Sequence, residues 1–163
     1  MSGRVETMSK VPTFRAKVLA IAEARGGGGG KGLALSREAA RRLQAGGVRA
    51  FVLQESDSLL AGSALGLSLR SDPRVLADIR RTTGAEAVVF LTLDPNWHSL
   101  EIAVLEAATG VAVLRATAHA HGEKFSSPEE AGADAAEALS YLAPERQKAA
   151  AAAMESSDDL STP

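Results

Sequence analysis

The 163-residue sequence predicts an α/β (α+β) domain: a mixed sheet of about five strands in the order β-α-β-α-β-β-β-α, with helices packed on its faces. Three observations carry this. Apolar runs of strand length alternate with segments of helical spacing through the first half of the chain. Two adjoining strand-like runs flank a glycine turn at Gly110, and Ser127-Pro128-Glu129-Glu130 has the chemistry of a helix start.

Residues 1–13 are polar and without hydrophobic period, so they read as a flexible lead. Phe14 to Glu23 has a central apolar stretch with Val18 and Ile21 and reads as the first strand. Gly26 to Gly30 are five consecutive glycines; each loses much backbone freedom on ordering, so they are expected to form a mobile loop. Leu35, Ala39, Ala40 and Leu43 then recur at helical spacing, and Gly46-Gly47 stops that helix. Val48 to Gln54 alternates as a strand.

Asp57 to Leu69 is interrupted by Gly62 and Gly66 and reads as a broken helix or an ordered loop. Asp72-Pro73 opens a second helix, because the Asp oxygen can accept orphan amides and Pro is pre-set for the first turn; Gly84 closes it. Ala87 to Leu93 is almost continuously apolar, as expected of a central strand covered on both faces. Leu100–Leu105 and Val111–Thr117 make a hairpin through Gly110. The capping box at Ser127 and Glu130 starts a helix that runs to about Tyr141, and Pro144 ends it. One domain, residues 14–143, is therefore expected, followed by an Ala-rich extension and polar tail over 144–163. Glu145–Met154 favours helix but falls below the roughly 12–15 residues at which isolated helices become stable. It should fray unless a partner or a second copy packs against it.

Composition removes several function classes. A net charge of -2 gives no global attraction for phosphate backbones, so no nucleic-acid partner is expected. The absence of cysteine removes disulfides, thiolate catalysis and Cys-ligated zinc. No stretch approaches the roughly 18 apolar residues of a membrane span, so no integral membrane segment is expected. Met1 to Pro12 contains no apolar signal run, which makes the cytoplasm the expected compartment for the chain as it stands; the alternative is a periplasmic or envelope-associated location.

The motifs with chemical potential are few. The strand, glycine run and helix have the layout of a phosphate cradle and raise the alternative of a nucleotide- or phosphate-binding domain. However, Arg25 and Gly32 stand where a P-loop needs glycine and a hydroxyl around Gly30-Lys31. His98, His119 and His121 would converge in one hairpin register. Placing Leu100, Ile102 and Val104 beside Leu114, Ala116 and Ala118 sends His98 to the opposite face, so no metal site is expected. Arg37, Arg41 and Arg42 form a basic helix face on which Glu38 can pair with Arg42. Ser36, Ser58 and Ser127 have no local His and read as caps or loop residues. No catalytic residue and no cofactor is assigned. Trp97 either packs over the sheet edge or anchors an interface, and with Asn96 and His98 it is the candidate partner-binding group.

Two adjoining segments carry a resemblance. Leu59-Leu60, Gly66-Leu67, Asp72-Pro73 and Gly84-Ala85-Glu86-Ala87-Val88-Val89, then Thr109-Gly110-Val111-Ala112, resemble the α/β domain shared by CsgG-type curli secretion lipoproteins, the TolB amino-terminal domain and LpoB-like activators of penicillin-binding proteins. The glutamate common after the Thr-Gly turn of that group is absent here. The resemblance implies a non-enzymatic protein-binding or assembly module within a larger envelope-associated, motility or secretion assembly. Its ligand would be a protein partner or further copies of the chain.

Overall fold

The computed structural model describes residues 5–11, 14–26, 30–54 and 73–143. Their elements are β1 (Val5–Lys10), β2 (Val18–Ala22), α1 (Lys31–Ala45), β3 (Arg49–Leu53), α2 (Pro73–Thr83), β4 (Ala87–Leu93), β5 (Ser99–Glu106), β6 (Ala112–His119) and α3 (Pro128–Leu139), the last closing in a 3-10 turn at Ser140–Leu142. The six strands form one mixed sheet in the order β1-β6-β5-β4-β2-β3. β2 pairs in parallel with β3 and β4, and the other neighbours are antiparallel.

The α+β class and mixed sheet are as the sequence predicts. The lead is the main departure. Residues 5–10 form the edge strand β1, antiparallel to β6 with Met8 opposite Ala116. An edge strand is held by main-chain hydrogen bonds to one neighbour and does not require an apolar period, so a polar sequence conceals it. The first core strand is also shorter than expected. Phe14 to Lys17 lead into it without regular structure, the Phe14 amide donating to the Val11 carbonyl and the Ala16 amide to the Leu142 carbonyl. The segments at 57–69 and 144–163, the Asp72 cap and residues 27–29 of the glycine run lie outside the described residues.

β4 shows why a continuous apolar run belongs in the middle of a sheet. Leu19, Ile21, Ala87, Val89, Leu91, Leu100, Ile102, Val104, Leu114, Ala116 and Ala118 face one way and pack under α1 and α3. Ala20, Ala22, Val88, Phe90, Ala103 and Leu105 face the other way, under Leu76 and Ile79 of α2. The β5–β6 register is the even-to-even one expected, Leu100 opposite Ala118 and Val104 opposite Leu114. It turns at Gly110, whose amide donates to Glu106.

The first helix docks through small residues. Its Ser36 is buried and bridges the end of β2, accepting from the Ala24 amide at 2.9 Å and donating to the Ala22 carbonyl at 3.1 Å. Its role is thus a buried tie rather than a cap or loop residue. One turn earlier, Gly32 passes so close to the Ala24 carbonyl that any β-carbon there would overlap it. The two residues, four apart, lie on the same helix face and seat α1 where β2 pauses before Arg25 rejoins the sheet beside Thr92. Gly26 follows at φ 84 against the Leu93 carbonyl, so this first residue of the glycine run cannot be exchanged without strain.

Helix α3 starts as its sequence predicts, with a difference in the reciprocal bond. Ser127 accepts from the Glu130 amide at 3.2 Å, while the Glu130 carboxylate reaches back one residue further, to the amide and hydroxyl of Ser126 at 2.6 and 2.7 Å. The donated Ser126 amide holds that carboxyl below its ordinary range.

Candidate functional site at the Trp97 turn

Asp94 to His98 connect β4 to β5 at the carboxy-terminal end of the parallel strands, the end from which both α1 and α3 set out. Asp94 organises the turn. Its carbonyl accepts from the Trp97 amide at 2.8 Å, and its carboxylate accepts from the amides of Asn96 at 3.0 Å and His98 at 3.3 Å. Within this frame Trp97 has φ 63, the only non-glycine residue in the left-handed region among those described. For an L-residue that conformation costs about 1–2 kcal/mol.

Three contacts hold Trp97 there. The Phe125 amide donates to its carbonyl at 2.7 Å. The Lys31 ammonium lies 5.3 Å from its ring centroid, at the start of α1. The side chain is half-buried and packs on the core beneath α1 and α3. Asn96 and His98 are exposed beside it. The three residues singled out in the sequence are therefore brought together on one turn, with Trp97 half-packed and its two neighbours open to solvent. Two contributors were missed. Phe125 sits in a polar stretch with no periodic partner, and the reach of Lys31 to Trp97 depends on tertiary placement.

The other candidate groups do not assemble into a site. Ser99 pairs with His119 and the Ala120 amide donates to His98, so His98 and His119 project from opposite faces. No group of three or more potential metal ligands occurs among the described residues. The Lys31 ammonium is over the Trp97 ring, and the α1 start at Gly30 receives no side-chain cap. No helix of the described residues is long and apolar enough to cross a membrane.

On the basic face of α1, Glu38 pairs with both neighbours, with Arg41 at 2.5 Å and Arg42 at 2.7 Å, its own side chain only 12% exposed. The Arg41 hydrogen bonds, ahead of those from Arg42, pull its carboxyl down from 4.5 to about 2. A depressed carboxyl contributes stability that is complete above the unfolded value and is lost as pH falls through the folded one. Glu38→Gln is therefore expected to cost about 0.3–1 kcal/mol at neutral pH, because the arginines are largely exposed and screened. In acid titrations followed by denaturant unfolding, the parent should lose most of that advantage between about pH 4.5 and pH 2, and a gap as large at pH 2 as at neutral pH would disprove the assignment.

The arrangement defines a class: an α/β sheet domain with an ordered, aromatic-bearing turn between two of its central strands. Two solved structures share this fold, the PelC dodecamer from Paraburkholderia phytofirmans, 17% identical with a TM-score of 0.56, and a point variant of it, 18% identical with a TM-score of 0.54. Each alignment covers 83% of this chain and 96% of the PelC chain. The lipoprotein GNA1162 from Neisseria meningitidis is less similar, 9% identical over 62% of this chain and 79% of its own, with a TM-score of 0.47. No protein-family model and no curated protein matches the sequence. At these identities the likeness to PelC establishes the fold.

Proposed function

We propose that the chain is a non-enzymatic protein-binding and assembly module, that its contact surface is the Trp97 turn with Asn96 and His98, and that its partners include further copies of itself. The carrying observation is the left-handed Trp97. Glycine would make that turn without strain, so a bulky aromatic held there by Asp94, Phe125 and Lys31 is a residue kept for its side chain. Its surroundings suit an interface: an aromatic anchor, an amide and an imidazole on a rigid turn, with Trp favoured at binding hot spots. The PelC chains with this fold assemble as dodecamers, which supports self-association as the first form of binding to test. Placement in an envelope-associated assembly of the CsgG or TolB amino-terminal kind is the corresponding cellular reading.

The test is light scattering of the full chain over a concentration series, with Asn96→Lys and His98→Glu as fold-sparing variants and Trp97→Gly as the direct one. Self-association is expected in the parent, weakened about 30-fold by Trp97→Gly if the residue is a hot spot of about 2 kcal/mol. A parent that stays monomeric throughout, or oligomers indifferent to all three changes, would overturn the proposal.

A further inference from the structure

Among the described residues the sheet ends at β3, Arg49–Leu53, which is bonded on one side only, to β2. The ladder fixes which main-chain groups face outward. The Arg49 amide donates to the Lys17 carbonyl and the Leu53 carbonyl accepts from the Glu23 amide, so Arg49, Phe51 and Leu53 turn their groups toward β2. Ala50 and Val52 therefore turn theirs away from the sheet. The Ala50 carbonyl has a partner there, the side-chain amide of Gln44 on α1, which donates to it at 2.5 Å. The Ala50 N–H and both main-chain groups of Val52 have no partner among the described residues. Side chains alternate along the strand, which puts Phe51 and Leu53 on the α2 face. Phe51 is half-buried there and borders a groove of about 440 Å³ lined also by Val18, Val48 and Thr83.

We propose that β3 is a contact surface for a second copy of the chain: two β3 strands pair antiparallel about a two-fold axis at Phe51, joining two sheets into one. Three features of the strand select this occupant. The first is hydrogen bonding. In that register each Ala50 N–H meets the partner's Val52 carbonyl, and both groups are open. The second is the side-chain match. Phe51 stands across the axis from the partner's Phe51 at a closely spaced position, an aromatic pair of the kind that stabilises antiparallel strands, with the groove beside it to receive the ring. The third is charge. Arg49 is the only charged residue of β3 and falls opposite the partner's Leu53, so two identical strands meet without like charges facing each other. Gln44 limits the strength of the contact. The remaining two bonds would run from each Val52 N–H to the partner's Ala50 carbonyl, which Gln44 already engages. Pairing in the parent is therefore weak and concentration-dependent.

The test is amide hydrogen exchange, read residue by residue by NMR on the full chain carrying His98→Glu, which weakens any contact through the Trp97 turn. In dilute solution Ala50 and Val52 should exchange fast, while Phe51 and Leu53, bonded to β2, stay protected. Raising the concentration toward millimolar should slow Ala50 about tenfold, and Gln44→Ala should bring the same protection, now shared by Val52, at about tenfold lower concentration. Phe51→Lys sets two cations across the axis and should abolish the concentration dependence. If that variant unfolds, the opposite shift in Gln44→Ala still decides. Exchange at Ala50 that ignores concentration in both the parent and Gln44→Ala would overturn the proposal. So would protection that survives in folded Phe51→Lys, or that arises at Met8 of β1 along with Ala50, because the occupant would then be the other edge. The readout sits on β3, so this contact and assembly through the Trp97 turn fail separately.

Discussion

Replacing Gly132 with leucine is expected to destabilise the protein by about 2–3 kcal/mol, because the change overpacks a close contact between α3 and α1. Gly132 lies on α3 where it crosses α1. An added β-carbon would stand 2.7 Å from the Leu35 carbonyl oxygen and 2.9 Å from the Glu38 β-carbon. The first of these is main chain, which cannot swing aside, so relief requires the helices to separate. Separation would loosen Ala131, Ala135 and Leu139 against Leu35 and Ala39, which share one core. For a chain of this length the loss corresponds to a melting-point drop of about 2–4 °C per kcal/mol. Gly132→Ala should lose less, because alanine regains about 1 kcal/mol of helix propensity over glycine. Denaturant unfolding measures both, and a leucine variant as stable as the parent would show that the helices are not in the contact described.

Phe125→Ala should lose more, about 3–5 kcal/mol, since an aromatic side chain fully inside a core leaves both lost transfer energy and a cavity. Phe125 is 2% exposed and lies between the end of β6 and the start of α3, with its amide bonded to the Trp97 carbonyl. Truncation therefore loosens the underside of the Trp97 turn as well as the core. Trp97 is the only tryptophan, so its fluorescence reports on the turn directly. The expected result is a large fall in unfolding free energy together with a red-shifted emission before unfolding begins. Unchanged emission in a destabilised variant would mean that the turn is held without Phe125.

Much of the fold is legible because it depends on local chemistry. The Gly84 and Gly110 turns, the Ser127 cap and the uninterrupted run at β4 are each signalled within a few residues, and the β5–β6 register follows from matching buried side chains across one hairpin. What escapes the sequence is non-local. β1 is invisible because its stability comes from the main chain of β6. Ser36 looks like a cap until its two partners on Ala22 and Ala24 appear, although Gly32, Ser36 and Ala40 at intervals of four do mark a helix face built for close approach. At the Trp97 turn the residues themselves stand out in the sequence, as a lone tryptophan among turn formers. Its left-handed backbone and its contact with Lys31 do not, since nothing local favours that backbone for a bulky residue.

The pairing of β1 with β6 sets an order of events during synthesis. Strands β4, β5 and β6 join through short connections and can zip together as soon as they emerge, because the entropy of closing such loops is small. Val5 must instead find Ala118, a contact spanning most of the described chain, and contacts of that separation form late. On the ribosome β1 therefore waits for the later strand that pairs with it, and until β6 has left the exit tunnel that edge of the nascent sheet is open to other chains.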